Sequence, residues 1–157
     1  MVVGLNPGRS EFATGRFFVG RAGVILRSSR FDQVWDVAGS PHQTLVTSIV
    51  KLFTVSAVDL DAIDEDRIVA CVRGCFVEEI RSLPNLERIV LLGRRTAQLF
   101  AAVAFAELQN RESLRIYAVR HPSFAWTVPD LEEQLRKGLA RPWHEDLAAS
   151  FHPSGNA

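Results

Sequence analysis

The stretch that decides the fold is Met1-Val2-Val3-Gly4-Leu5-Asn6-Pro7-Gly8. Its first apolar residues predict a short buried strand, and the glycine- and proline-rich segment after them ends that strand abruptly. A loop of this kind exposes backbone N–H groups and carries one amide side chain, that of Asn6, at its apex. Because open α/β sheets bind ligands at the carboxyl ends of their strands, we expect this loop to form part of a binding site.

A nucleotide-binding P-loop is the nearest alternative for this loop, but its spacing does not fit. P-loops place four residues between their glycines and continue with Gly-Lys-Ser or Gly-Lys-Thr. Here Gly4 and Gly8 enclose only three residues, and Arg9 follows in place of the lysine. A plain strand-to-helix turn, rich in glycine and proline, remains the alternative interpretation at this point.

Composition and charge indicate an ordinary globular domain. The chain has 157 residues, of which 47% are hydrophobic and 23% are charged, and this is typical of a soluble protein with a proper core. We expect a single domain over residues 1–150, a flexible C-terminal tail over residues 151–157, and a monomer. Since the formal net charge is zero, binding to DNA would depend on a local basic face.

Neither the apolar segments nor the cysteines indicate a membrane or secreted protein. No apolar run approaches the length needed to cross a membrane, and no secretory signal precedes the first strand. Cys71 and Cys75 are four residues apart in a predicted helix, a spacing that suits neither a zinc ribbon nor a secreted disulfide framework. We therefore expect a cytoplasmic protein with two reduced thiols, associated with the nucleoid if its source is prokaryotic.

Strands and helices alternate along the chain. Apolar and β-branched residues predict three further strands, at residues 45–53, 88–93 and 114–119. A long amphipathic helix is predicted over residues 64–83, with acidic residues at its N-terminus. Residues 12–23 and 54–62 are predicted to be connections, and a last helix begins at about Pro129. This alternation predicts a three-layer α/β/α sandwich with a central four-stranded, mostly parallel sheet.

Two short loops, Gly-Leu-Asn-Pro-Gly at residues 4–8 and His-Pro-Ser at 121–123, follow the first and last predicted strands. In this order they resemble the two active-site motifs of the uracil-DNA glycosylase superfamily. Residues 15–23, Gly-Arg-Phe-Phe-Val-Gly-Arg-Ala-Gly, are similar to a segment of its thermostable, iron–sulfur-containing branch, and residues 71–100 to that branch's helix–strand–helix centre. Asn6 is the residue of the mismatch-specific and single-strand-selective branches. A second His-Pro-Ser, at 152–154, has no strand before it and is set aside.

The resemblance implies an enzyme of base excision repair, a monofunctional DNA glycosylase that flips uracil or a related deaminated base out of DNA and hydrolyses its N-glycosidic bond. Its expected catalytic residues are Asn6, which orients the attacking water, Glu11, which assists it, and His121, which donates a hydrogen bond to the leaving base. The expected substrate-binding residues are Gly4, Leu5, Pro7, Gly8, Phe18, Ser48 and Ser123. Phe124 and Trp126 occupy the place of the superfamily's wedge into the DNA stack.

More ordinary interpretations of single residues stay open at this point. Glu11 is also compatible with a solvated loop acid, Phe18 with a core position, and His121 with a structural role. Among the substrate-binding residues, Phe18 is expected to stack on the flipped base and Ser123 to bind a backbone phosphate. Ser48 stands where the iron–sulfur branch carries a base-reading Asn, and this predicts weaker selectivity for uracil.

The cysteines of this chain depart from the iron–sulfur branch, which binds its cluster with four. Leu52 stands at the third cysteine position and only Cys71 is kept. One thiolate cannot hold such a cluster, so we expect no cofactor and no metal. Two other functions remain open: binding of DNA or free bases without efficient catalysis, and hydrolysis of nucleosides or nucleotides in the same pocket.

Overall fold

Four parallel strands form the central sheet of the computed structural model, which describes residues 1–28, 31–40, 42–54, 57–108 and 113–122 and positions 133, 136, 137 and 139. The strands are β1 (Val2–Gly4), β2 (Val46–Ser48), β3 (Arg88–Leu92) and β4 (Arg115–Val119). Their order is β2-β1-β3-β4, and every pair is parallel. Gly4 lies opposite Ser48 and Leu92 opposite Val119, so the carboxyl ends meet at one edge.

Helices connect the strands and cover the sheet on both faces. They are α1 (Arg9–Thr14), α2 (Arg21–Leu26), α3 (Asp32–Ala38), α4 (Ala57–Asp61), α5 (Glu65–Cys71), α6 (Glu78–Arg81), α7 (Arg94–Leu99) and α8 (Phe105–Leu108). Asp64 caps α5, since its side chain accepts a hydrogen bond from the N–H of Asp66 at 2.8 Å. The predicted acidic helix start is thereby confirmed.

The core consists of two apolar clusters, one on each side of the sheet. Val3 and Leu91 pack on one face with the helical segments from α5 to α8. Val2 and Val90 pack on the other face with α2 and α3. Because successive side chains of a strand point to opposite faces, neighbouring residues of β1 and β3 contribute to different clusters. A sheet buried on both faces confirms the predicted three-layer α/β/α sandwich.

Each of the two long helices contains a π-helical segment. Val72–Val77 joins α5 to α6, and Phe100–Ala104 joins α7 to α8. The segments meet in the core, where the rings of Phe76 and Phe100 pack edge to face with centroids 6.2 Å apart. The first of these helices is the one predicted over residues 64–83, but the π-helical segments are a finding of the structure.

Several predicted boundaries differ from the structure. Residues 12–14, predicted as loop, belong to α1, a helix bounded by Gly8 and Gly15, whose glycine-rich setting conceals it. The predicted connection 54–62 contains α4. The predicted strand 45–53 is regular only over Val46–Ser48; past it, the N–H groups of residues 49 and 50 donate to the carbonyls of residues 4 and 5, both at 2.9 Å. The helix predicted from Pro129 lies largely outside the described residues, and the tail 151–157 lies entirely outside them.

Candidate active site

A cavity of about 520 Å³ lies at the carboxyl edge of the sheet, within the usual size range of ligand pockets. Each strand, or the segment directly after it, supplies part of the lining. Gly4 and Leu5 come from the end of β1, Ser48 from β2, Leu92 from β3, and His121 from the residues after β4. Between β1 and β3 the strand order reverses direction, and this is where open α/β sheets bind ligands.

Asn6 lines the cavity, and a hydrogen bond orients its amide. Its Nδ2 donates to Oγ1 of Thr54 at 2.7 Å, which links the loop after β1 to the chain after β2. An amide that donates on one side presents its carbonyl oxygen on the other, where it can accept a hydrogen bond. Thr54 is buried, with 7% of its surface exposed. No pattern in the sequence marks Thr54 as a site residue, because it lies 48 residues from Asn6 and belongs to neither motif.

Among the described residues that line the cavity, Glu11 is the one with a carboxylate side chain. Its Oε1 accepts a hydrogen bond from the N–H of Gly20 at 3.0 Å, so the side chain ties α1 to the segment before α2. A Cβ atom added to Gly8 would come within 2.7 Å of Oε2 of Glu11, which places this second oxygen against the loop 4–8. Glu11 is thus a partly buried member of the site and not a solvated loop acid.

Phe18 serves both the core and the cavity. Only 7% of its surface is exposed to solvent. Its ring lies over Gly4, where an added Cβ atom would come within 2.7 Å of the ring carbon Cζ. Its backbone has a φ of +53°, a left-handed conformation that is costly for a bulky residue. The Phe18 carbonyl accepts a hydrogen bond from Nη1 of Arg27 at 2.7 Å, which helps to hold this conformation. A strained backbone at a cavity wall is typical of ligand-binding positions.

His121 lines the cavity across the sheet edge from β1, and Gly93 makes room for it. Gly93 has a φ of +95°, and an added Cβ atom would lie 3.0 Å from Cβ of His121. Burial lowers the pKa of His121 below its ordinary value, because the charged imidazolium loses its hydration. The imidazole is therefore neutral near pH 7, and a neutral imidazole carries one N–H donor.

Ser48 and the residues after β3 complete the lining. Ser48 is 2% exposed and contributes to the wall of the cavity, as its predicted role requires. Arg94, Arg95, Thr96 and Gln98 from the start of α7 also line it, as do Phe17 and Ala22. Sequence reasoning missed these residues, although Gly93 directly after a buried strand is a signal for such a position. Arg95 is 3.5 Å from the carboxylate of Asp61.

The remaining predicted site residues fall in two groups. Gly8 lines the cavity, whereas Pro7 does not. Ser123, Phe124 and Trp126 lie outside the described residues, so their predicted roles stay predictions.

The model of one protein family, described as the uracil DNA glycosylase superfamily, matches residues 1–155. The chain belongs to the uracil-DNA glycosylase superfamily. This confirms the family predicted from the sequence and supports a glycosylase-type function in general. Members of the superfamily act on DNA. A search of curated proteins finds no match.

The iron–sulfur cluster of one branch of the uracil-DNA glycosylase superfamily does not fit this chain. The ligands of such a cluster are cysteine thiolates, and an apolar residue occupies one of the four ligand positions here. Leu52, at the third ligand position, packs against the apolar core, and Sγ of Cys71 accepts a hydrogen bond from the backbone N–H of Lys51 at 3.3 Å. Within the described ranges no three His, Cys, Asp or Glu side chains are grouped to hold a metal ion, and no helix there is long and apolar enough to span a membrane.

Proposed function

We propose that this chain is a monofunctional DNA glycosylase of base excision repair, which flips uracil or a related deaminated base out of DNA and hydrolyses its N-glycosidic bond. The observation that carries the proposal is that Asn6 and His121, from opposite motif loops, line one cavity of about 520 Å³. Membership of the superfamily supports the glycosylase-type reaction in general. The cytoplasmic location and the monomeric state remain predictions.

Asn6 and Glu11 are proposed to act on the attacking water. With Nδ2 of Asn6 committed to Thr54, the amide oxygen is left to orient a water molecule toward the sugar carbon C1′. An amide cannot take up the proton that this water releases, whereas a carboxylate can. Glu11 lines the same cavity, and its Oε1 is already bonded to Gly20. In this proposal Oε2 of Glu11 receives the proton.

His121 is proposed to stabilise the leaving base. When the N-glycosidic bond breaks, its electron pair moves onto the base and negative charge develops on a base oxygen. A neutral, partly buried imidazole that donates one N–H to that oxygen lowers the energy of the transition state more than that of the bound substrate.

Phe18 and Ser48 are proposed to hold the flipped base. Phe18 stacks on the flat ring system, which every base offers. Ser48 contributes one hydroxyl at the base edge, where an Asn would contribute both a donor and an acceptor. We therefore expect release of uracil and also of hypoxanthine or xanthine, at modest rates.

The test is base release from labelled oligonucleotides that carry one uracil, hypoxanthine or xanthine, followed by alkaline cleavage of the abasic site, with free deoxyuridine as a parallel substrate. We expect cleavage of the oligonucleotides only. Asn6→Ala and His121→Ala should each lower the turnover rate far more than the affinity for DNA. Asn85→Ala and His42→Ala, which change exposed residues of the same types, are the matched controls.

Three outcomes would contradict the proposal. Hydrolysis of free deoxyuridine with intact oligonucleotides would indicate a nucleoside hydrolase. Binding without release of any base would indicate a protein that recognises DNA or bases only. Equal losses of affinity and turnover in Asn6→Ala would show that Asn6 does not act on the transition state.

A further inference from the structure

Two stacked aromatic rings, one of them exposed, are carried by residues next in sequence to groups of the site. Phe12 is 65% exposed, and its ring stacks on that of Phe53 with centroids 4.4 Å apart and planes inclined by 20°. Among the described residues only Phe12, Val24 and Leu45 are large, apolar and exposed, and Phe12 is the aromatic one. A ring that is mostly exposed while one face rests on a neighbour offers its other face to solvent. Leaving it there forgoes the stabilisation that burial of a phenylalanine provides.

Both rings are adjacent in sequence to groups of the site. Phe12 follows Glu11 on α1, and Glu11 lines the cavity. Phe53 precedes Thr54, whose hydroxyl accepts the hydrogen bond from Asn6. Phe12 and Phe53 therefore directly adjoin residues of the site without lining the cavity themselves, and we call their position, on the β1–β2 side of the sheet, the rim of the cavity. β4 and the loop that carries His121 lie at the other end of the strand order.

A positive side chain accompanies the pair. Arg9 is exposed and lies three residues before Phe12 on α1, a spacing that places both side chains on neighbouring positions of one helix face. Among the described residues Arg9 has no acidic partner. The acid of the same helix, Glu11, is bonded to Gly20 instead. Since the net charge of the chain is zero, such local placement of cations decides where a polyanion binds.

We propose that Phe12 and Phe53 form a stacking platform for an unpaired DNA base next to the target nucleotide, and that Arg9 binds a phosphate of the same strand. Exposed aromatic rings with cationic side chains beside them are the combination that binds single-stranded nucleic acid without sequence preference. This inference rests on the proposed function, because it is the flipped nucleotide that brings the strand to the rim. It predicts tighter binding to single strands than to fully paired duplexes.

The test is the dissociation constant for a fluorescein-labelled, undamaged single-stranded oligonucleotide, measured by fluorescence anisotropy and compared with that for its duplex. Phe12→Ala should raise the single-strand constant roughly fivefold or more, and the duplex constant less. Phe12→Tyr keeps a ring and should bind as the unmodified protein does. Val24→Ala, at an exposed apolar residue of α2, is the matched control and should change nothing.

The role of Arg9 is tested by the dependence of the same binding on salt. Arg9→Gln should reduce the slope of log affinity against log salt by about 0.7, the value for one phosphate contact on a single strand. Arg115→Gln removes an exposed arginine at the amino end of β4, away from the cavity, and should leave the slope unchanged.

The outcomes separate this inference from the proposed function. If Phe12→Ala binds single-stranded DNA as tightly as Val24→Ala does, the platform is overturned, even if base release is confirmed. Loss of single-strand binding in Phe12→Ala together with no base release from any oligonucleotide would support the platform and contradict the glycosylase. A lower apparent mass of Phe12→Ala in size-exclusion chromatography would show an interface between two copies of the chain, and would also overturn the platform.

Discussion

Replacement of Thr54 by valine should slow base release while leaving the affinity for DNA unchanged. Valine has the shape of threonine without its hydroxyl, so the variant removes the acceptor of the 2.7 Å hydrogen bond from Nδ2 of Asn6. A neutral hydrogen bond contributes about 0.5–1.5 kcal/mol net. If the freed amide loses that amount of transition-state stabilisation, the rate of base release falls roughly 2- to 13-fold.

The assay is single-turnover cleavage of a uracil-containing oligonucleotide with the protein in excess, so that product release does not limit the rate. Thr54→Ser keeps a hydroxyl and should retain most of the rate. Because Thr54 takes part in a further interaction as well, the decisive measurement is a double-mutant cycle. In the Asn6→Ala background Thr54→Val should have almost no effect. An equally large effect in both backgrounds would refute the claim that Thr54 acts by orienting Asn6.

Three other predictions concern the contact of Gly93 with His121, the titration of His121, and the choice of base by Ser48. Gly93→Ala should lower the free energy of unfolding by roughly 1–3 kcal/mol in chemical denaturation, because a side chain is strained at a φ of +95° and would crowd His121. Gly74→Ala, in a helix with open space around it, is the control and should not destabilise the protein. Equal effects of the two substitutions would contradict the role of the backbone at Gly93. The free energy of unfolding should decrease as the pH falls below about 6.5, because the unfolded chain binds a proton on His121 before the folded protein does. His121→Asn should make the free energy of unfolding depend less on pH in this range. The same dependence on pH in the variant would exclude His121 as its source. Ser48→Asn should increase the preference for uracil over hypoxanthine by roughly fivefold or more in parallel base-release assays, and an unchanged ratio would show that residue 48 does not contact the base.

The sheet could be predicted because its strands are nearly continuous apolar segments. The buried strand predicted at residues 88–93 forms β3 over Arg88–Leu92 in the structure. The short helix α1 could not be predicted in the same way, because none of its residues is buried and it therefore lacks an apolar period. β2 ends after three residues although β-branched residues continue, since the chain turns toward the loop after β1 at that point.

The site shows the same division between local and non-local information. Asn6, Ser48 and His121 each follow or end a strand, so their meeting at one edge follows from parallel topology. The bond from Asn6 to Thr54 and the packing of Phe18 over Gly4 depend on how separate loops fold against each other. A single sequence holds no period or spacing that reports such contacts.

The π-helical segments have a consequence for comparing this chain with its relatives. A π-helical turn in an α-helix corresponds to one inserted residue, and one residue rotates the following helix by about 100°. Ile80 and Leu108 follow the two segments and are buried, so the register after each insertion is the one that reaches the core. A relative whose corresponding helices are α-helical throughout therefore lacks one residue in each helix. The correct alignment gives that relative a one-residue gap inside residues 72–77 and another inside 100–104. The buried positions on both sides of each gap then stay aligned.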